Sequence, residues 1–233
     1  MTKIPPAPNR RPTPMSRRKL LRALSLATVS VSGALPFALQ ARAQEAGLIT
    51  GSVCLVQPEL AEGPFHLDDT PRRSDIREGR RGVPLALRLQ VVTADCGAIP
   101  GALVEVWHCD AAGVYSGVSG QGGTFLRGLQ ETGPDGVAAF ATIYPGWYPG
   151  RTPHIHYKVQ LEDGRVLTSQ MFFPDSVSAA IYEVEPAYAG RGAQDTANAQ
   201  DGIASAAGER AVAAITGDMA APEAALVVGV AAG

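Results

Sequence analysis

Alternation at period two dominates the middle of the chain. Val83 to Thr93 (VPLALRLQVVT), Ala102 to His108 (ALVEVWH), Val137 to Ile143 (VAAFATI) and His154 to Leu161 (HIHYKVQL) interleave apolar with other residues and are rich in β-branched and aromatic side chains. This is the signature of strands that bury one face. Pro134-Asp135-Gly136 and Glu162-Asp163-Gly164 are turn sequences between such runs. From about Asp175 to Ile203 the Ala, Glu and Gln content reads as helix or long loop, and Leu226 to Val230 (LVVGV) as a closing strand. The pattern predicts an all-β fold, an antiparallel or mixed β-sandwich of about seven to nine strands with long loops and little helix.

The first 43 residues follow a different logic. Ser16-Arg17-Arg18-Lys19-Leu20-Leu21 precedes an uncharged apolar run from Ala23 to Leu39, and Ala41-Arg42-Ala43 ends it with small residues at the positions a signal peptidase reads. The run is shorter than the roughly 20 apolar residues of a bilayer span and is broken by Gly33 and Pro36. Residues 1–43 therefore read as a twin-arginine export leader, with Met15 an alternative start, and residues 44–233 as the mature domain. The expected location is periplasmic or extracellular, and the twin-arginine route carries proteins already folded around a cofactor.

With 233 residues, 45% of them hydrophobic, and 26 glycines, the chain suits one turn-rich domain. Of its 20 basic residues, eight lie in the leader (Lys3, Arg10, Arg11, Arg17, Arg18, Lys19, Arg22 and Arg42). The mature part thus holds 12 basic against 22 acidic residues, a net charge of −10. Such a chain, lacking a basic stripe, is not built for nucleic acid or, after leader removal, for an anionic membrane. Three cysteines, Cys54, Cys96 and Cys109, in an oxidising compartment allow one disulfide and one free thiol. Cys96 and Cys109 flank a strand and could bridge its neighbours, but the pairing is open, and no CxxC spacing suggests a zinc site.

Candidate chemistry gathers in GWYPGRTPHIH, Gly146 to His156. On a strand His154 and His156 project from the same face, with Ile155 packed behind them. That makes half a metal site. Tyr148 stands before a proline that holds it extended, and Tyr115 lies in the turn DAAGVYSG after the Ala102 strand. No Asp or Glu is close enough in sequence to complete a triad of two histidines and a carboxylate. Further ligands would then be phenols, whose ionisation near neutral pH requires a pKa shift of about 3 units, roughly 4 kcal/mol, within reach of a hard trivalent cation. The donor types point to Fe(III).

The segments VEVWHCDAAGVYSG, FLRG, DGVAAFATIYPGWYPGRTPHIH and LTSQMFFPD, with CLVQPELAEGPFHLD as a weaker upstream match, together resemble the intradiol ring-cleavage dioxygenases, the family of catechol 1,2-dioxygenase and protocatechuate 3,4-dioxygenase, especially their exported single-chain relatives. The resemblance implies Tyr115, Tyr148, His154 and His156 as Fe(III) ligands. Tyr148 would be the one that a catechol displaces and protonates, Arg151 would stabilise negative charge on the ring, and Gln170 would be the active-site glutamine. It implies cleavage of a catechol-type ring by O2 to a muconate-type diacid. The partners are then a small aromatic molecule and dioxygen, with room for a homodimer.

Other residues carry less. His108 reads as structural, His66 as a lone histidine near the pocket entrance, Trp107 as core, and Trp147 as a pocket wall or an edge-packed ring. One departure stands out: where relatives often read Thr-x-Gly-Pro-Tyr, this chain has Ala61-Glu62-Gly63-Pro64-Phe65. Losing two hydroxyls and adding Glu62 disfavours a substrate carboxylate, so a neutral catechol or hydroxyquinol is expected over protocatechuate. The segment between Tyr148 and His154 is also shorter than in the catabolic enzymes, which would alter the pocket wall there. A second reading, from GALVEVW and GPDGVAAFATIYPGWY, is a non-catalytic sandwich module resembling transthyretin-like or adhesin repeats, which needs neither the histidine pair nor the tyrosines.

Overall fold

The computed structural model describes residues 48–50, 54–118 and 120–231. The export leader expected at residues 1–43 lies outside them. Among the described residues the chain forms eight strands: β1 (Pro84–Thr93), β2 (Leu103–Trp107), β3 (Arg127–Glu131), β4 (Val137–Ile143), β5 (His154–Gln160), β6 (Val166–Phe172), β7 (Ala214–Thr216) and β8 (Glu223–Val230). Helix α1 (Asp175–Val184), helix α2 (Gly202–Ala207) and a 3-10 turn fall between β6 and β7. No helix among these residues is long and apolar enough to cross a membrane.

The strands make two four-stranded sheets, β4-β1-β8-β7 and β3-β2-β5-β6. The first is mixed, because β1 runs parallel to β8 and antiparallel to β4; the second is antiparallel throughout. Alternation does the sorting. Leu85, Leu87, Leu89 and Val91 from one sheet meet Val104, Val106, Ile155, Tyr157 and Val159 from the other in one core. Each large apolar side chain sealed there contributes about 1.5–3 kcal/mol. The sandwich expected from the alternation is what forms.

Three strands escaped the reading by alternation: β3, β6 and the three-residue β7. β3 (RGLQE) carries two charges and a glycine, yet pairs with β2 from Leu103↔Glu131 to Trp107↔Arg127. Its Gly128 is structural: a Cβ there would sit 2.4 Å from Ile76 Cγ2 and 2.9 Å from the Arg73 carbonyl oxygen. The 71–76 segment can lie against β3 only because that side chain is missing. β6 pairs along β5 from His154↔Phe172 to Gln160↔Val166. Between Asp175 and Ile203 the helical part is confined to Asp175–Val184 and the first residues of α2.

The disulfide joins Cys54 to Cys96, with Cα atoms 5.3 Å apart. Cys109 is the free, buried thiol, its Sγ donating to the Gly146 carbonyl at 3.4 Å. A bridge from Cys96 to Cys109 is therefore excluded, because strand β2 carries Cys109 away to the end that faces Gly146. Burial pushes the Cys109 thiol up to about 12, which keeps it unreactive.

Candidate metal centre

Cross-strand register decides where the histidines point. His154 is opposite Phe172, and His156 is opposite both Gln170 and Trp107. These residues share the face of the second sheet turned away from the sandwich core, while Ile155 and Tyr157 enter it. An outer face would normally be wet, yet His154 and His156 are 2% and 1% exposed. The cover comes from distant chain. Gly63 lies over His156, where a Cβ would come within 3.3 Å of its Cε1. Trp107 stacks on the other side of the ring at 5.0 Å and 8°. Phe65 stacks on Tyr115 at 4.3 Å and meets Tyr148 edge-on at 6.0 Å.

Two turns deliver the tyrosines. After β2 the Asp110 carboxylate accepts from the backbone N–H groups of Ala112 and Val114, shaping the bend that presents Tyr115. The turn after β4 presents Tyr148. They press together at Gly146, where a Cβ would lie 2.5 Å from the Asp110 carbonyl oxygen and 2.6 Å from that of Ala111. The phenol rings end 5.9 Å apart.

The four polar tips converge. Tyr148 Oη is 3.1 Å from His154 Nε2, which is 3.1 Å from His156 Nε2. Tyr115 Oη is buried without a hydrogen bond among the described residues, as is His156 Nδ1. His154 Nδ1 donates to the Thr152 carbonyl at 2.7 Å, which assigns the proton to Nδ1 and leaves a lone pair on Nε2. Burial and the neighbouring charges push His154 down to about 3 and His156 well below its ordinary value, so both rings are neutral donors at physiological pH. Burial likewise raises both phenols, Tyr115 the more, with Arg151 opposing.

This donor set fits a cation. Two ring nitrogens 3.1 Å apart match the span of two donors each about 2.1 Å from a shared metal at roughly a right angle. A single proton satisfies only one such contact and leaves Tyr115 Oη stranded. Among the described residues no group of three His, Cys, Asp or Glu is placed to hold a metal. The oxygens beside the histidine pair are phenolic.

Arg151 and Gln170 are joined: Arg151 Nη2 donates to Gln170 Oε1 at 2.6 Å, and Gln170 Nε2 donates to the Ala61 carbonyl at 2.8 Å. All six residues singled out from the sequence thus lie in one neighbourhood. The residue that sequence reasoning missed is Asp201, a buried carboxylate that accepts from Arg151 Nε at 2.7 Å. Its only local signal is Asp-Gly before a short helix, where Asp caps α2.

The remaining candidates sort clearly. His108 is structural, with Nδ1 at 2.8 Å from the Cys109 carbonyl and Nε2 at 2.7 Å from Thr142 Oγ1. Burial lowers its pKa to about 4. Trp107 is fully buried, but under His156 on the outer face rather than in the core between the sheets. Trp147 is edge-packed, its Nε1 donating to the Gly192 carbonyl and Arg191 lying over its ring. His66 is not alone: Glu62 and Glu105 flank it. Glu62 is ion-paired with Lys158 and 40% exposed, so it is no bare carboxylate in the pocket. The electrostatic objection to an acidic substrate weakens accordingly, while the loss of hydroxyls at Ala61 and Phe65 stands.

The chain is similar to proteins of one family. The family described as Dioxygenase matches residues 57–228. Hydroxyquinol 1,2-dioxygenase from Nocardioides simplex is 31% identical over 131 residues, 47% of this chain and 45% of that protein. Catechol 1,2-dioxygenase 1 from Acinetobacter lwoffii is 29% identical over 139 residues, 48% of this chain and 45% of that protein. The chain thus spans about half the length of these relatives. An intradiol ring-cleavage dioxygenase from Tetranychus urticae superposes with a TM-score of 0.71 at 33% identity, covering 76% of this chain and 94% of that one. With the family match running through most of the sequence and that superposition covering nearly a whole solved domain, the chain belongs to the intradiol ring-cleavage dioxygenases.

Proposed function

We propose that this protein uses O2 to cleave a catechol-type ring between its two hydroxylated carbons, yielding a muconate-type diacid, with Fe(III) held by Tyr115, Tyr148, His154 and His156. The observation that carries the reading is the convergence of Tyr148 Oη, His154 Nε2 and His156 Nε2 at 3.1 Å intervals beside the buried, unpartnered Tyr115 hydroxyl. Fe(III) bound there supplies the positive charge that ionises phenols and catechol and draws electron density from the ring toward reaction with dioxygen.

The chain's own groups do the rest. Neutral imidazoles with their lone pairs directed inward need no deprotonation before binding. Tyr148, only half-buried where Tyr115 is sealed, is the phenol free to move and to take a catechol proton on Oη. Arg151 brings a permanent charge beside the site; its pull on both phenols favours their ionised forms, and the same field favours an anionic ring. Phe65 and Trp107 pack around the donors and exclude water, which strengthens these interactions.

The relatives' names point to catechol and hydroxyquinol as substrates, and the apolar Phe65 in place of a phenol favours these over a carboxylated catechol. Export to an oxidising compartment is supported by the Cys54–Cys96 disulfide. The test is metal analysis, visible absorption and oxygen uptake with catechol, hydroxyquinol and protocatechuate. About one iron per chain, a tyrosinate charge-transfer band and uptake fastest with an uncharged catechol are expected, and His156→Ala should lose all three. A colourless, inactive protein would favour a non-catalytic sandwich module instead.

A further inference from the structure

The hydrogen-bond chain on the outer face continues beyond Arg151 into a segment fifty residues away. Asp201, whose side chain is 1% exposed, accepts on Oδ2 from Arg151 Nε at 2.7 Å and from the Thr152 backbone N–H at 3.0 Å. On Oδ1 it accepts from the backbone N–H groups of Ile203 at 2.9 Å and Ala204 at 3.2 Å. A buried carboxylate is costly unless it is fully paired, and this one has a cation and three amides. One oxygen caps α2, and the other holds the strand that leads to the metal donors.

Both residues gripped by that second oxygen act on the site. Thr152 presents its carbonyl to His154 Nδ1 at 2.7 Å, so fixing Thr152 fixes the tautomer and the plane of that imidazole. Arg151 is held on two edges, Nε by Asp201 and Nη2 by Gln170. This sets the plane of the guanidinium, and Nη1 has no hydrogen-bond partner among the described residues. An arginine on a freely moving side chain would gain little from charge alone; a planar guanidinium locked on two sides offers one aimed N–H edge.

We propose that Asp201 is the positioning residue of this centre, its one carboxylate oxygen aligning the Arg151 guanidinium with the Thr152–His154 segment so that the free Nη1 edge meets the bound ring. The inference rests on the ring-cleavage reading above. Its rival is a purely structural Asp201 that caps α2 and nothing more.

A double-mutant cycle with Asp201→Asn and Arg151→Lys in the iron-loaded full chain separates the two. Asp201→Asn is expected to lower kcat roughly 10- to 100-fold, with KM, iron content and the colour largely kept and Asp201→Glu recovering part of the loss. In the Arg151→Lys background the same change should cost only about twofold, since coupled groups are not additive. A structural cap would lower thermal stability and cost kcat equally in both backgrounds, or not at all; either result overturns the proposal. A second measurement needs neither iron nor a folded variant: the Arg151 Nε–H of the metal-free wild type should exchange slowly with solvent and shift downfield. Exchange at the rate of a free arginine overturns the proposal. A wild type without iron or turnover but with a protected Nε–H would sink the ring-cleavage reading while leaving the Asp201–Arg151 pairing established.

Discussion

Tyr148 and Tyr115 are the same residue type a few ångströms apart, yet their surroundings assign them different work. Tyr115 is 3% exposed, stacked under Phe65, with a hydroxyl that no described group satisfies. Tyr148 is half-buried and shares a 3.1 Å contact with His154. Removing the Tyr148 hydroxyl should therefore cost little in folding, about 1 kcal/mol, and much in function. Tyr148→Phe is expected to stay folded, to bind iron more weakly with a shifted absorption band, and to turn over about 10²-fold or more slowly, the usual scale of a lost proton acceptor. Titration with iron followed by stopped-flow absorption checks it, and an unaltered band with unaltered turnover would remove Tyr148 from the site. The HxH pair and the Tyr-Pro turn were legible because each is local, within six residues. Asp201 was not, since its significance lies in Arg151, fifty positions earlier.

At the scale of elements, the site exists where two turns and one covering loop meet a strand. At Gly146 the backbone of the 108–118 turn occupies the space a side chain would need. Gly146→Ala has to push Asp110 and Ala111 away and with them Tyr115. We expect destabilisation of about 1–3 kcal/mol, the range for inserting a methyl into a packed contact, together with loss of the tyrosinate band. Urea unfolding and absorption measured on one sample check both. A variant that keeps its colour and stability would show that the turns approach each other without that contact. Strands β1, β2, β4 and β5 could be read from alternation, whereas β3 could not, because RGLQE has no apolar period and forms only because β2 and the 71–76 segment lie on either side of it.

For the molecule as a whole, the outer-face site and the sandwich share a dependence on neutral buried histidines. His108, hydrogen-bonded at both nitrogens and held down to about 4 by burial, is the one outside the proposed metal donors. The unfolded chain protonates a histidine near pH 6.5, and the folded chain refuses that proton until about pH 4. Stability contributed by neutral His108 is therefore full above about pH 6.5 and is lost progressively as pH falls from there to about 4, some 2 kcal/mol by pH 5. Urea midpoints of the metal-free protein at pH 7 and pH 5 should show the drop, to which neutral His154 and His156 add in the same direction, and His108→Asn should reduce it by the share that His108 contributes. A midpoint independent of pH over that window would contradict the buried neutral assignment.

What the amino-acid order determined by itself is what short-range periodicity and local chemistry can encode: a two-layer β fold, a pair of imidazoles on one strand face, two phenols in proline- or glycine-bearing turns, and an arginine three residues before the first histidine. The tertiary structure alone decided which face that was, that Gly63 and Phe65 would bury it, that Cys54 rather than Cys109 pairs with Cys96, that Glu62 would be neutralised by Lys158, and that Asp201 would close on Arg151. The reason is physical: a side chain's partner across tens of residues is chosen by how whole sheets and loops pack, and no local repeat in the sequence records that choice.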